Sequence, residues 1–102
     1  MNKQELIEAV KTGSSGKQHS FSEWISEDEQ SVCVLGAAYL GVGGNINIKD
    51  GDSIMNYLIE RFPFLYDRTS YRFYTGSLSS ILVSLNNSMS FDQIIEAIRE
   101  IK

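Results

Sequence analysis

A chain of 102 residues with 42% hydrophobic content can bury one modest core without disulfide or metal staples, so residues 1–102 read as a single globular domain rather than a disordered segment. With 13 acidic and 9 basic residues the formal net charge is −4, which works against broad binding to nucleic acid or an anionic membrane, since both need clustered Lys and Arg. No run approaches the ~18 apolar residues of a membrane span, one cysteine excludes an intramolecular disulfide, and the amphipathic N-terminus does not read as a signal sequence; a cytoplasmic protein with no membrane contact is expected.

The first predicted helix covers Asn2 to Thr12, with Asn2 as N-cap, Glu5 at the third helical position, and Leu6, Ile7 and Val10 facing inward. Gly13 is expected to end it. Residues 13–20, GSSGKQHS, are the most linker-like stretch and would leave the first helix free to move or to pack on a partner. Ser20 and Glu23 stand at capping-box spacing, which predicts a short helix from Phe21 to Ser26 with Phe21, Trp24 and Ile25 turned inward. The acidic run Glu27-Asp28-Glu29 should be exposed.

Ser31 to Gly41, SVCVLGAAYLG, is the most apolar stretch, and its two ends disagree: Val-Cys-Val suits a strand and Leu-Gly-Ala-Ala-Tyr-Leu a helix. A central helix is the favoured reading. Cys33, Gly36, Ala37 and Leu40 would then share one face, where small residues let a neighbouring helix come close. Gly41, Gly43 and Gly44 end the element. Asn45 to Asp52 alternates apolar and polar residues around Asp50-Gly51, predicting a short extended segment, hairpin or turn. Asp52 or Ser53 then caps a helix carrying Ile54, Tyr57, Leu58 and Phe62, which Pro63 terminates. The connection FLYDRTSYRFYTG that follows holds too many rings to be loosely solvated and reads as an ordered aromatic loop.

The final two helices are the best specified elements. Leu78, Ile81, Leu82 and Leu85 fall at i, i+3, i+4 and i+7, and Phe91, Ile94, Ile95 and Ile98 repeat the spacing. Ser90 as N-cap with Gln93 three residues on forms a capping box, and the short turn through Asn86 and Asn87 makes the two helices neighbours. The predicted fold class is mainly α: a small single-domain bundle of about five helices.

Trp24, then Cys33-Val34-Leu35-Gly36-Ala37, then Leu85-Asn86-Asn87 before a capped terminal helix resemble an uncharacterised family of small bacterial and phage proteins. That family shares a Trp, a Cys-x-Leu-Gly-Ala segment and a Leu-Asn-Asp step; here Asn87 replaces the Asp. The resemblance spans roughly Trp24 to Ile101 and implies a compact helical fold and a bacterial or phage source. It implies no active site.

Chemistry-bearing residues are few. A thiol nucleophile needs a base that lowers its pKa, and the one candidate, His19, lies in the Gly/Ser stretch while Cys33 sits among apolar residues that raise it. A core thiol and a surface imidazole are expected instead. One Cys and one His cannot make a zinc site, and aligning an EF-hand loop on Asn45 places Asp50 at the glycine position and Asn56 where the bidentate Glu belongs. Gly41-Val42-Gly43-Gly44 lacks both the Gly-Lys-Ser/Thr of a phosphate loop and the GxGxxG of a dinucleotide site. No catalytic residue, metal or cofactor is expected. The last helix pair could read as a helix-turn-helix, but its exposed face offers Asp92, Glu96, Arg99 and Glu100, which phosphates would not favour.

What remains is a non-enzymatic interaction or regulatory accessory module whose partner is a protein or a second copy of the chain. The candidate binding residues are Tyr66, Arg68, Tyr71, Arg72, Phe73 and Tyr74, because Tyr and Arg dominate interface energies. The same rings could instead close over the core. The alternative is a nucleic-acid-binding helical domain using Lys49, Arg61, Arg68 and Arg72 together with the tyrosines. A cysteine-dependent enzyme is the least favoured class.

Overall fold

The computed structural model describes residues 1–101. Among them are five α-helices: α1 Lys3–Ser14, α2 Val34–Gly41, α3 Gly51–Arg61, α4 Leu78–Asn86 and α5 Phe91–Glu100. Two small sheets complete the fold. β1 Gln18–His19 and β2 Ser31–Val32 pair in parallel, and β3 Arg68–Tyr71 and β4 Tyr74–Ser77 form an antiparallel hairpin. The architecture is mainly helical without being a pure bundle, and no described helix is long and apolar enough to cross a membrane.

Each helix starts where a side chain can take up its free N–H groups. Asn2 accepts from the Glu5 N–H at 2.8 Å while Glu5 accepts from the Asn2 N–H at 3.0 Å, and Ser90 with Gln93 repeats this capping box on α5. Asp50, not Asp52 or Ser53, caps α3: its carboxylate accepts from the Ser53 N–H at 3.0 Å. The hydrogen bonds from Ser53 hold the Asp50 carboxyl below its usual range. Asp52 falls in the first turn instead, where its charge complements the helix dipole.

Gly13 does not end α1. The helix continues through it to Ser14 because α1 lies directly against α2 there. A β-carbon built on Gly13 would stand 1.7 Å from the Ala37 carbonyl oxygen, and one on Gly41 would stand 1.9 Å from that of Ala9. Two glycines and two alanines therefore let the backbones of α1 and α2 touch.

Nor are residues 13–20 a linker. Gln18 donates to the Gln30 carbonyl at 2.8 Å and Ser20 to that of Val32 at 2.9 Å, which ties this stretch to β2. The predicted helix over Phe21–Ser26 is absent. Ser20 does accept from the Glu23 N–H at 3.0 Å, as a cap would, but the backbone beyond it bonds elsewhere: Ile25 bridges to Val32, and the Ser26 N–H donates to the Ser31 carbonyl at 2.9 Å. Six residues make too few internal bonds to offset helix nucleation when strand pairing is on offer. Ile25 is buried and Trp24 half-buried, whereas Phe21, predicted inward, is 62% exposed.

The ambiguous segment resolves by splitting. Ser31 and Val32 are strand, Val34 to Gly41 is helix, and Cys33 is the N-cap between them, its sulfur accepting from the Gly36 N–H at 3.4 Å. Asn45 to Lys49 forms a turn without strand pairing, closed by the Asn47 N–H on the Asn45 side chain at 2.9 Å. The extended hairpin lies further on, within the predicted aromatic loop. After a 3-10 turn at Pro63–Tyr66, β3 and β4 pair in the register Arg68↔Ser77 to Tyr71↔Tyr74 and lead straight into α4. Leu78, Ile81, Leu82 and Leu85 of α4 and Ile94, Ile95 and Ile98 of α5 are all buried in the core they share with α1 and α2.

Candidate functional site

The six aromatic and basic residues singled out in the sequence do not form one surface. Tyr71 is 8% exposed and belongs to the core, and Tyr74, its cross-strand partner, is half-buried against that core. Arg68, Arg72 and Phe73 are exposed, and Tyr66 is 59% exposed on the 3-10 turn that precedes the hairpin. Strand alternation separates them, since successive residues on a strand point to opposite faces.

The hairpin tip is the distinctive part of this group. Arg72 and Phe73 are its two loop residues, and Arg72 has φ 55°, in the left-handed region where an L-residue costs about 1–2 kcal/mol. Two-residue hairpin turns favour Gly or Asn for this reason. Phe73 is 97% exposed, so neither loop residue gains burial from this geometry. The Arg72 guanidinium lies 5.0 Å from the centre of the Tyr71 ring, which supports its position. Burial raises the Tyr71 phenol above its usual pKa, and the Glu100 carboxylate pushes the same way.

The other basic residues proposed for a nucleic-acid surface are engaged within the chain. Lys49 pairs with Glu29 at 3.1 Å, and the Arg61 guanidinium lies 3.5 Å above the Tyr57 ring while donating to the Tyr57 carbonyl.

A second feature was not foreseen. Asn86, at the end of α4 and 4% exposed, joins three segments through one amide. Its oxygen accepts from the Val34 N–H at 2.9 Å and lies 2.7 Å from His19 Nε2, and its nitrogen donates to the Ser20 carbonyl at 3.0 Å. A backbone N–H can only donate and a carbonyl can only accept, so the amide orientation is fixed and His19 must carry its proton on Nε2. The imidazole is held flat between Phe21 and Phe91, with ring centres 4.5 and 4.4 Å away. It is half-buried, not the surface group expected.

No hydrogen bond joins the His19 ring to the Cys33 thiol among the described residues. Burial pushes the thiol above its ordinary pKa, and the Gly36 N–H aimed at the sulfur opposes this without cancelling it. Native Cys33 should therefore react with iodoacetamide at pH 7 at least tenfold more slowly than the denatured chain; equal rates would show the thiol activated or free. A thiol raised in the fold stabilises the folded state fully below its unfolded pKa of about 8.5, and that contribution is lost as pH rises through the higher folded value.

Beside Asn86 a cavity of about 150 Å3 opens to the surface, lined by Phe21, Trp24, Cys33, Val34, Leu35 and Val83 together with polar groups that include Glu23 and Asn87. Trp24, Cys33 and Asn86 meet here: the Cys33 N–H donates to the Trp24 carbonyl at 3.1 Å, and Asn86 holds the start of α2. Comparison with protein-family profiles, characterised proteins and solved structures finds no match to the chain.

Proposed function

We propose that this protein is a non-enzymatic interaction module that engages a protein partner through the β3–β4 tip, with Phe73 as the anchor and Arg72 beside it, while Tyr66 and Arg68 lie at the far end of the hairpin and outside this contact. One observation carries the reading: a phenyl ring 97% exposed on a two-residue turn whose other residue holds a positive φ. Full exposure of such a ring forgoes about 2 kcal/mol or more of burial, and strained backbone concentrates where binding uses it. Tyr71 and Tyr74 serve this surface from beneath, as the footing of the hairpin.

Phe73→Ala tests the reading. Its thermal stability should stay within about 0.5 kcal/mol of the parent chain, while retention of the partner from host lysate falls at least tenfold in a nuclease-treated pull-down. A partner held equally by Phe73→Ala would rule the tip out, and a catch lost on nuclease treatment would favour nucleic acid. Tyr71→Ala is unsuitable as the probe, because a core ring removes stability together with any contact.

A further inference from the structure

We propose that the cavity between Phe21 and Val83 is a socket for the Phe73 ring of a second copy of this chain. The inference rests on reading the hairpin tip as a binding knob, and it names the partner. The cavity measures about 150 Å3, and apolar cavities of roughly that size hold one benzene-sized guest. Phe21 and Val83, 62% and 47% exposed, flank its mouth, with Trp24, Val34 and Leu35 as apolar wall. The Asn86 amide beside it is already engaged by Val34, Ser20 and His19, so a guest need bring no hydrogen bond. Ser22, Glu23 and Asn87 also line it, but its wall is mainly apolar and suits a ring.

The chain supplies that ring. Phe73 is 97% exposed and so does not occupy its own socket, and the turn beneath it gives the ring the reach that a residue on a flat helix face lacks. Charge fits as well. Glu23 lines the cavity and Arg72 directly precedes Phe73, so seating the ring brings a guanidinium to a carboxylate. Within its own chain Arg72 lies over the Tyr71 ring and shares a depression with Asp92, Glu96 and Glu100, so Glu23 competes with these carboxylates for it and the ring provides most of the attraction. Knob and socket are different surfaces, so two copies can make one such contact head to tail or two reciprocal ones about a two-fold axis. An interface built on one ring is small, and its affinity should be micromolar or weaker.

Sedimentation velocity over a concentration series reaching the millimolar range tests the proposal with two variants. Phe73→Ala removes the knob, and Val83→Arg blocks the socket at an exposed helical position that accepts arginine without loss of fold. The wild type should self-associate, each variant alone should do so at least tenfold more weakly, and an equimolar mixture of the two should recover a one-to-one complex. Phe21→Glu replaces Val83→Arg as the socket variant if the latter melts early. A wild type monomeric throughout, single variants that associate like the wild type, or a mixture that stays monomeric overturns the proposal. If the wild type is monomeric while partner capture still depends on Phe73, the socket falls and the tip reading stands.

Discussion

Asn86→Leu should lower the free energy of unfolding by about 3–5 kcal/mol, among the largest losses open to a single substitution in a domain of this size. The side chain is nearly isosteric with leucine, so packing volume is conserved and the loss is polar. It strands the buried Val34 N–H and the Ser20 carbonyl, each costing about 1–3 kcal/mol when unpaired and out of water. The imidazole of His19, half-buried, recovers part of its hydrogen bonding from solvent and contributes less. A double-mutant cycle with His19→Phe separates that part, with an expected coupling of about 0.5–1.5 kcal/mol. Chemical denaturation is the measurement. A loss below about 1 kcal/mol would show that water replaces the amide and that the three segments are not joined through it.

Gly13→Ala carries the second large effect, and its sign decides between two forces. In an exposed helix interior, alanine in place of glycine stabilises by about 1 kcal/mol. At Gly13 the added methyl would lie 1.7 Å from the Ala37 carbonyl oxygen, a backbone atom that no side-chain rotation can move. The helices must then part, and the overpacking cost of about 1–3 kcal/mol or more exceeds the gain in propensity. A net loss of about 2 kcal/mol is expected. A thermal melt that rises instead would mean that α1 is not seated on α2. Gly41→Ala should behave alike, since it meets the Ala9 carbonyl at 1.9 Å from the other side.

What the sequence made legible follows from how local the governing interactions are. α1, α4 and α5 were readable because their caps and apolar stripes lie within a few residues of one another; the Ser90 and Gln93 box is complete in four positions. Gly13 misled because its role is set by α2, more than twenty positions downstream. The capping pair at Ser20 and Glu23 formed its bond and still gave no helix, because β2 competed for the backbone beyond it. The hairpin was hidden for the opposite reason: Arg-Thr-Ser-Tyr and Tyr-Thr-Gly-Ser each carry a β-prone Thr and Tyr, but Arg72-Phe73 lacks the Asn or Gly that marks a two-residue turn. The same departure that concealed the hairpin exposes Phe73. Asn86 read as a turn residue before α5, and nothing near it in the chain reports the three distant groups that it joins.

That separation governs when the amide acts. Asn86 meets Ser20 across 66 residues, His19 across 67 and Val34 across 52, whereas the hairpin, α4 and α5 are assembled from near neighbours. Contacts between remote segments reward the chain only after the stretch between them is ordered. The amide is therefore expected to close on the native side of the folding barrier, which refolding and unfolding rates of Asn86→Leu would check. Its removal should leave the refolding rate almost unchanged and speed unfolding by nearly the whole of the lost stability. On that expectation Asn86 would set how long the native chain persists, and the local helices of the C-terminal half how quickly it forms.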